Sequence, residues 1–532
     1  MKLNITKYAL MALAAASLTS CNGWLGEETP GTAGFDDFYT VGATAVQSVN
    51  ACYTPLAWEY NKSYFSEWFF GDIASDDALK GGQNVADGAD AYDIDNFKVN
   101  ANNAICLDYY RAKYQGIARC NLTLREVPKM ILDETLTESR RDCILGEAYF
   151  LRALYYFQLT RIYGGVPLVD FVIDSSEKWK QPRATQQQVY DHIIADLLQA
   201  EKLLWEKSQY PAADLGRATK GAAKAMLCKV YLYNKNYAEA YRWGKDWAQN
   251  EYGKEYRLCD NYYDNFTLAG ENGPESVFEI QYMAEPTSDY GEGFGFTRGS
   301  FTTILTRPRL TSLGATGWGW NHPTQNLYNE YEAGDPRRDL TIGVPEENVI
   351  HEVEINYLGS PYYNRKTAYI EGGLLPGLDH DSRSPLNYRL IRAADVLLLY
   401  AEAALENGDT AQAKWALEEV RKRARANATA TGNTVLPAFP GYLGYNDNTE
   451  DLRRAIRHER RVELAMEGHR WFDLVRWGIA YEVMDRDNGS YGKNESPEAR
   501  AEMASFIPGK SELFPIPAEE INLNPMDQNP GY

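Results

Sequence analysis

The chain has 532 residues, of which 44% are hydrophobic and 24% charged, as expected for a globular protein with a large core. Its formal net charge of −20 argues against nucleic acid and anionic membrane surfaces as partners, because both would repel it. Aromatic residues make up 13%, including 38 Tyr and 12 Trp, which indicates surfaces suited to sugars or protein interfaces, although most single rings are expected in the core.

The first residues predict export. Lys2 and Lys7 precede an apolar stretch from Tyr8 to Leu18, and small residues then lead to Cys21. This order is typical of a secretory signal peptide and not of a membrane span. The end of the stretch also resembles a bacterial lipobox, in which Cys21 would be acylated. We expect a lipoprotein signal peptide over 1–20 and a lipidated flexible tether over 21–42; the alternative is an ordinary signal peptide with an incidental cysteine.

The cysteines after Cys21 form no CxxC pair and show no metal-ligand spacing. They are Cys52, Cys106, Cys120, Cys143, Cys228 and Cys259. An exported protein is permitted disulfides, but Cys143 and Cys228 fall in helical segments with core-like neighbours. We therefore expect mostly free buried thiols, with one or two disulfides left open. No second apolar stretch is long enough to span a membrane.

Helical spacing of apolar residues governs the first half of the chain. A helical pattern runs over 43–56, and the segment 135–138 fits a capping box that would open the next helix. That helix is expected to end at Gly164 and Gly165, because Pro167 prevents it from resuming. A second capping box at 185–188 predicts the start of another helix.

Two later segments, 218–247 and 394–420, resemble tetratricopeptide helix pairs, with small residues and aromatics where two helices meet. The stretch 255–385 between them is rich in Gly, Pro, Tyr, Trp, Asn and Asp, which predicts loops and short hairpins. Residues 451–477 return to helix, with Arg and Glu at ion-pair spacing. The sequence therefore predicts a mostly α fold whose helix pairs are interrupted by a large loop-rich insertion.

Four sequence blocks carry a more specific resemblance. They are Glu147–Phe157 with Arg161–Leu168, Arg389–Ala403, Glu459–Gly478, and Phe514–Pro517 with Asn524–Pro525 and Gln528–Tyr532. In this order, after a lipobox, they resemble the SusD/RagB family of outer-membrane glycan-binding lipoproteins over nearly the whole chain. The resemblance implies a SusD-like α–α superhelix, with an N-terminal helical region over 43–254 and a C-terminal region over 255–532 that contains the ligand-binding insertion 255–385.

The same resemblance implies a role and partners. The chain would be a cell-surface lipoprotein, acylated with fatty acids such as palmitate, that captures oligosaccharide or polysaccharide for nutrient uptake. It would deliver the glycan to a SusC-like TonB-dependent outer-membrane transporter. The third block contains charged residues that could suggest catalysis, namely Glu459, Arg460, Glu463, Arg470 and Asp473. Their regular spacing and the family pattern instead predict a buried or interfacial salt-bridge network.

Candidate ligand-binding residues lie where aromatic faces and planar hydrogen-bonding groups for hydroxyls coincide in loops. Trp318 and Trp320 alternate with glycines, so a helix is unfavourable there and one or both rings would be exposed. The candidates are Trp318, Trp320 and Asn321, then Tyr282, Tyr290 and Arg298 in a Gly- and Asp-rich stretch, and Asp76, Asp77, Asn84 and Tyr92 in the polar loop 71–104.

Motifs for catalysis are absent: the sequence contains no G-x-S-x-G elbow, HExxH, P-loop or G-x-G-x-x-G. A glycosidase carboxylate pair is defined by separation in space, so sequence alone leaves that alternative open. No cofactor is expected, and no EF-hand-like spacing supports a structural cation. Non-catalytic glycan capture is the favoured hypothesis; a RagB-type peptide-uptake lid, a structural or adhesive subunit and a surface glycoside hydrolase are the alternatives.

Overall fold

The computed structural model describes residues 38–283, 299–309, 317–344, 360–368, 384–430, 436–485, 487–495 and 506–532. Helices dominate these ranges. In the first half they are α1 (Ala43–Tyr53), α2 (Ala89–Asp95), α3 (Ala104–Glu126), α4 (Glu138–Tyr163), α5 (Gln186–Leu203), α6 (Lys220–Tyr233) and α7 (Tyr237–Asn250). Within the described ranges, no helix combines the length and apolar character needed to cross a membrane.

Shorter helices and strands follow in the second half. The helices are α8 (Thr302–Thr306), α9 (Gln325–Glu330), α10 (Pro336–Thr341), α11 (Arg365–Ala368), α12 (Ala393–Glu406), α13 (Thr410–Ala430), α14 (Thr449–Leu464), α15 (Arg470–Trp477), α16 (Ala480–Met484), α17 (Ser490–Asn494) and α18 (Ala518–Leu523). The strands of the whole chain are β1 (Ala78–Gly81), β2 (Ser276–Ile280), β3 (Trp320–Pro323), β4 (Ile342–Gly343), β5 (Tyr363–Asn364) and β6 (Tyr388–Arg392).

The long helices pack one on the next, from α3 through α7, and α7 then packs on α12 and α12 on α13. The two predicted helix pairs, α6–α7 and α12–α13, are therefore neighbours in space although the insertion separates them in sequence. Tyr241 stacks on Tyr400 with ring centroids 6.0 Å apart, and its hydroxyl donates to Asp409 at 2.8 Å. A Cβ at Gly244 would lie 2.8 Å from the Tyr400 ring, so this close approach requires glycine. The mostly helical fold is confirmed.

The helix boundaries agree with the predicted signals at two of three places. Thr185 begins α5 with both hydrogen bonds of a capping box, and α4 ends at Gly164, whose φ is 72°. The capping box predicted at 135–138 is wrong. The N-cap is Thr137, which accepts from the Arg140 N–H, whereas the Thr135 hydroxyl donates to Asp133 at 2.6 Å in the preceding turn.

The insertion joins the scaffold through strands. The expectation of local hairpins is wrong for β2 and β3, since each pairs with a strand outside the insertion. In the antiparallel pair β1–β3, Gly81 lies opposite Trp320, and in the antiparallel pair β2–β6, Ser276 lies opposite Arg392. Such pairings depend on tertiary contacts and leave no short-range turn signal in the sequence. They fix the tryptophan-containing segment against the polar loop that precedes α2.

The core contains buried thiols as well as apolar side chains. All of the cysteines in the described ranges are buried and free, which agrees with the expectation of mostly free thiols. They are Cys52, Cys106, Cys120, Cys143, Cys228 and Cys259. Burial raises the pKa of Cys143 and Cys259 to about 11, which keeps these thiols protonated and unreactive at neutral pH.

The charged side chains of α14 form a buried ion-pair network, which confirms the structural interpretation of that block. The Glu463 carboxylate accepts from Arg392 at 2.6 Å and from Arg423 at 2.5 Å. Burial alone would raise the pKa of Glu463, but the surrounding guanidiniums hold it well below its ordinary value. Arg460, also on α14, donates to Asp473 at 2.7 Å. Removing one member would leave an uncompensated buried charge, so the network tightly constrains this part of the fold.

The segment 506–532 packs against the early helices. The Phe514 N–H donates to the Ile162 carbonyl at 2.8 Å, and the Ala518 N–H donates to the Ala101 carbonyl at 2.8 Å. The Phe514 side chain is 3% exposed and lies in the same core as α3 and α4. This last segment therefore completes a core that the first third of the chain begins.

Candidate ligand-binding site

Three half-buried aromatic side chains, Tyr60, Tyr64 and Trp318, lie together at the surface and form what we call the aromatic platform. The Tyr64 ring centroid lies 5.1 Å from that of Tyr60 and 5.1 Å from that of Trp318, which meets it at 87°. Phe301 and Trp320 lie against these rings and are only 2% and 3% exposed. Buried rings thus support the platform, whose own rings face in different directions.

A carboxylate on α3 fixes the turn that carries the two tyrosines. Asp108 accepts from the Asn61 side chain at 2.9 Å, the Ser63 hydroxyl at 2.8 Å and the backbone N–H groups of residues 62 and 63 at 3.2 and 3.0 Å. Tyr60 and Tyr64, at the two ends of this turn, form an antiparallel β-bridge. The Asp108 side chain therefore sets the spacing of two platform rings before any ligand arrives.

Strand pairing and close backbone contacts hold the two tryptophans. The Trp318 N–H donates to the Ile304 carbonyl at 2.9 Å, which places its ring beside the turn. Trp320 follows in β3, opposite Gly81. A Cβ on Gly88, whose φ is 81°, would lie 2.6 Å from the Trp320 ring, so only glycine allows the loop to cover this face. Trp318 keeps exposed surface, whereas Trp320 supports it from below.

Charged groups next to the platform form what we call the polar rim, which consists of the partly exposed Asp87 and Arg309 and the fully buried Lys80. Asp87 accepts from Arg309 and from the Trp320 indole N–H, each at 3.4 Å, and Arg309 also donates to the Trp318 carbonyl at 3.2 Å. The Lys80 ammonium lies 5.2 Å from the Trp320 ring centroid, and burial lowers its pKa to about 8. Asp87 and Arg309 remain partly exposed and offer an acceptor and donors beside the aromatic faces.

The buried carboxylate of Glu59 connects the platform to its support. It accepts from the Phe301 N–H at 2.5 Å and from the Thr302 N–H and hydroxyl at 3.2 and 2.8 Å, at the start of α8. Burial raises the pKa of Glu59, and these hydrogen bonds oppose that rise. The Tyr282 hydroxyl is hydrogen-bonded to the same carboxylate, and Tyr282 is 9% exposed. This predicted ligand contact therefore lies beneath the platform.

Asp76 and Asp77 lie away from the surface, with no exposed area. Asp76 accepts from Arg470 at 2.7 Å, and Asp77 accepts from Arg461 at 2.8 Å. These pairs tie the residues before β1 to α14 and α15. In this arrangement both carboxylates serve the structure and offer no surface to a ligand, contrary to the expectation from their loop position.

The remaining sequence candidates occupy different environments. Asn321, with a φ of 55°, is buried and donates to Asp72 at 3.2 Å, and burial raises the pKa of Asp72 to about 7. Tyr92 is 5% exposed in α2, whereas Asn84 is exposed near the polar rim. Three further predicted residues, Cys21, Tyr290 and Arg298, lie outside the described residues. The structure thus brings Trp318, Trp320 and Asn84 to one region.

Sequence reasoning missed both platform tyrosines and the whole polar rim. Tyr60 and Tyr64 flank Asn-Lys-Ser, and two aromatic residues around such a turn former are a recognisable hairpin signal. Lys80, Asp87 and Arg309 carry no comparable signal, because their proximity depends on the β1–β3 pairing. Among the described residues, no group of three or more His, Cys, Asp or Glu side chains is placed to hold a metal ion.

Comparison with known proteins agrees with the helical fold, and two family models match consecutive parts of the chain. A model described as the SusD family matches residues 274–532, and one described as "Starch-binding associating with outer membrane" matches residues 39–232. SusD-like protein P2 of Formosa agariphila is 28% identical over 456 residues, covering 83% of each chain. A SusD-like protein of Bacteroides ovatus is 28% identical over 64% of this chain and 60% of its own.

Solved structures show the same architecture. A laminarin-binding SusD-like protein is 29% identical, with a TM-score of 0.73 over 92% of this chain and 98% of its own. Surface glycan-binding protein A from Bacteroides fluxus is 25% identical, with a TM-score of 0.78 over 93% of this chain and 100% of its own. The two family models follow one another along the chain, and the helical scaffold matches over nearly its whole length. This chain belongs to the SusD/RagB family.

Proposed function

We propose that this chain is a non-catalytic surface protein that captures oligosaccharide or polysaccharide on the aromatic platform. The observation that carries the proposal is the juxtaposition of Tyr60, Tyr64 and Trp318 with the partly exposed Asp87 and Arg309. Sugar rings present an apolar C–H face and a rim of hydroxyls, and such a site offers partners for both. Relatives named for laminarin and glycan binding support the same class of ligand.

The arrangement explains capture without chemistry. Trp318 meets Tyr64 edge to face, at 87°, and Tyr60 is tilted from Tyr64 by 38°, so the platform follows a curved glycan better than a flat one. Asp87 and Arg309 would exchange hydrogen bonds with hydroxyls at the edge of the sugar. An open platform of this kind leaves much of the ligand in water, so we expect moderate affinity that rises when several sugar units bind together.

Delivery to a SusC-like TonB-dependent transporter and anchoring through acylated Cys21 belong to the same proposal. The family resemblance supports both. The family model described as "Starch-binding associating with outer membrane" supports the location. In cells, a tagged chain should co-purify with the transporter. Cys21→Ala should abolish incorporation of labelled palmitate and release the protein from the outer membrane. Retention of label after Cys21→Ala would refute this anchor.

The direct test is calorimetric titration of the purified full chain with laminarin, starch, xylan and galactomannan. Trp318→Ala and Tyr64→Ala should each weaken binding about tenfold or more, in line with loss of an aromatic contact. Trp179→Ala is the matched control, because Trp179 is 69% exposed in the segment between α4 and α5 and belongs to neither the aromatic platform nor the polar rim, so its loss should leave affinity unchanged.

Three other outcomes would contradict the proposal. Release of reducing sugars by the purified chain would favour a glycoside hydrolase. Binding of a peptide mixture but of no glycan would favour a RagB-type peptide lid. Glycan binding that survives both Trp318→Ala and Tyr64→Ala would keep the glycan ligand but refute the aromatic platform as its site.

A further inference from the structure

A cavity of about 500 Å³ lies between the N-terminal end of α5, the C-terminal end of α6, α15 and the segment 506–532. Its volume is within the range of small-molecule sites. Tyr190, Tyr233 and Phe472 provide aromatic walls, and Gln187 lies at its exposed side. No residue of the aromatic platform or polar rim lines it. The cavity is therefore separate from the site described above.

Two buried polar groups in this cavity lack hydrogen-bonding partners. The Tyr233 hydroxyl makes no hydrogen bond although Tyr233 is 8% exposed, and the Nε of Arg161 is likewise unpaired. The two side chains lie beside each other, but not in hydrogen-bond geometry. A buried polar group without a partner is unfavourable, and a ligand hydroxyl accepting from Arg161 and pairing with Tyr233 would satisfy both.

The charges around the cavity favour a neutral ligand. Arg161 already pairs with Glu67. Arg476 is held by Glu402 at 2.5 and 2.7 Å and by Asp473 at 2.8 Å. Lys235 and Glu512 also line the cavity, and their charges are opposite. Because carboxylates on the protein also neutralise both guanidiniums, the lining has no net positive charge to select a phosphate or carboxylate. Aromatic walls and unpaired hydroxyl-binding groups instead match a sugar.

We propose that this cavity binds one neutral mono- or disaccharide. Tyr233 and Arg161 would form hydrogen bonds with one of its hydroxyls, and Tyr190 and Phe472 would pack on its apolar face. Only the class of ligand rests on the proposed function, since the site itself is independent of the platform. The cavity would sense or retain a short sugar while the platform holds the longer chain.

The test is saturation-transfer NMR and calorimetry of the purified full chain with glucose, galactose, xylose, maltose and cellobiose, and with glucose 6-phosphate as the charged comparison. Tyr233→Phe removes only the unpaired hydroxyl and should weaken binding about three- to tenfold, the range expected for one hydrogen bond. Gln187→Trp should block the cavity and abolish binding. Gln199→Trp is the control, because Gln199 is exposed on the same helix but does not line the cavity.

The outcomes separate the two sites. Trp318→Ala should leave binding of the short sugar unchanged while it weakens polysaccharide binding. Absence of binding by every sugar in the panel, binding that Gln187→Trp leaves intact, or preferential binding of glucose 6-phosphate would overturn the cavity proposal. Loss of polysaccharide binding alone would bear on the proposed function and leave the cavity unaffected.

Discussion

Replacing Asp108 should loosen the platform without removing any of its rings. Asp108 is 4% exposed, and its carboxylate accepts four hydrogen bonds from the turn that joins Tyr60 to Tyr64. In Asp108→Ala the freed donors can reach water, so we expect a loss of about 1–2 kcal/mol in the free energy of unfolding. The two tyrosines must then be ordered when the ligand binds, at about 0.5–1.5 kcal/mol for each side chain. Affinity for glycan should consequently fall about 5- to 150-fold.

Two measurements check this reasoning. Calorimetry gives the affinity for the glycan that wild type binds, and hydrogen exchange of the amides at residues 62 and 63 should accelerate whether or not a glycan is present. Asp142→Ala is the control, because the Asp142 carboxylate is 42% exposed and its closest arginine is 3.8 Å away. Unchanged exchange at the turn, or unchanged affinity in a folded Asp108→Ala protein, would show that the turn does not depend on Asp108.

Three further predictions concern stability, each measured by urea unfolding. The pKa of Asp72 in the folded chain, about 7, lies above its ordinary 3.8, so its contribution to stability is complete below pH 4 and is lost as the pH rises to 7. The free energy of unfolding of Asp72→Asn should therefore rise relative to that of wild type by about 1.4 kcal/mol per pH unit between pH 4 and 7. Equal pH dependence of the two proteins would contradict the raised pKa of Asp72. Gly71→Ala should destabilise by about 1–3 kcal/mol, because its Cβ would lie 2.1 Å from the Gly468 carbonyl oxygen; an unchanged midpoint would disprove that contact. Arg152→Ala should lose about 3–5 kcal/mol by leaving the buried Asp196 carboxylate without its guanidinium partner, and a loss below 1 kcal/mol would argue against this pair.

The scaffold was predictable because its signals are local. Apolar spacing, the cap at Thr185 and the stop at Gly164 act within a few residues, and each agrees with the structure. The charge pattern of α14 likewise requires only helical periodicity to predict ion pairs. The error at Thr135 arose between two threonines two residues apart, where either could serve as the N-cap.

The site was less predictable because tertiary contacts assemble it. The sequence predicted Trp318 and Trp320 as candidate ligand contacts but could not distinguish the ring with exposed surface from the one that is 3% exposed. Asp76 and Asp77 became candidates from loop position, and only the fold shows that distant arginines enclose them. Tyr64 contacts both Tyr60 and Trp318. No rule of sequence spacing connects the turn that carries the tyrosines with the segment that carries Trp318.

The packing of 506–532 against α3 and α4 has a consequence for how the chain is made. The Phe514 N–H pairs with the Ile162 carbonyl, and Ala518 pairs with Ala101, so partners hundreds of positions apart must meet. Contacts of such long range slow folding, and domains this large pass through intermediates. During synthesis, the helices that emerge first expose an unfinished core until residues 506–532 arrive. Helices α3 and α4 therefore cannot bury their full core surface before residues 506–532 pack on them.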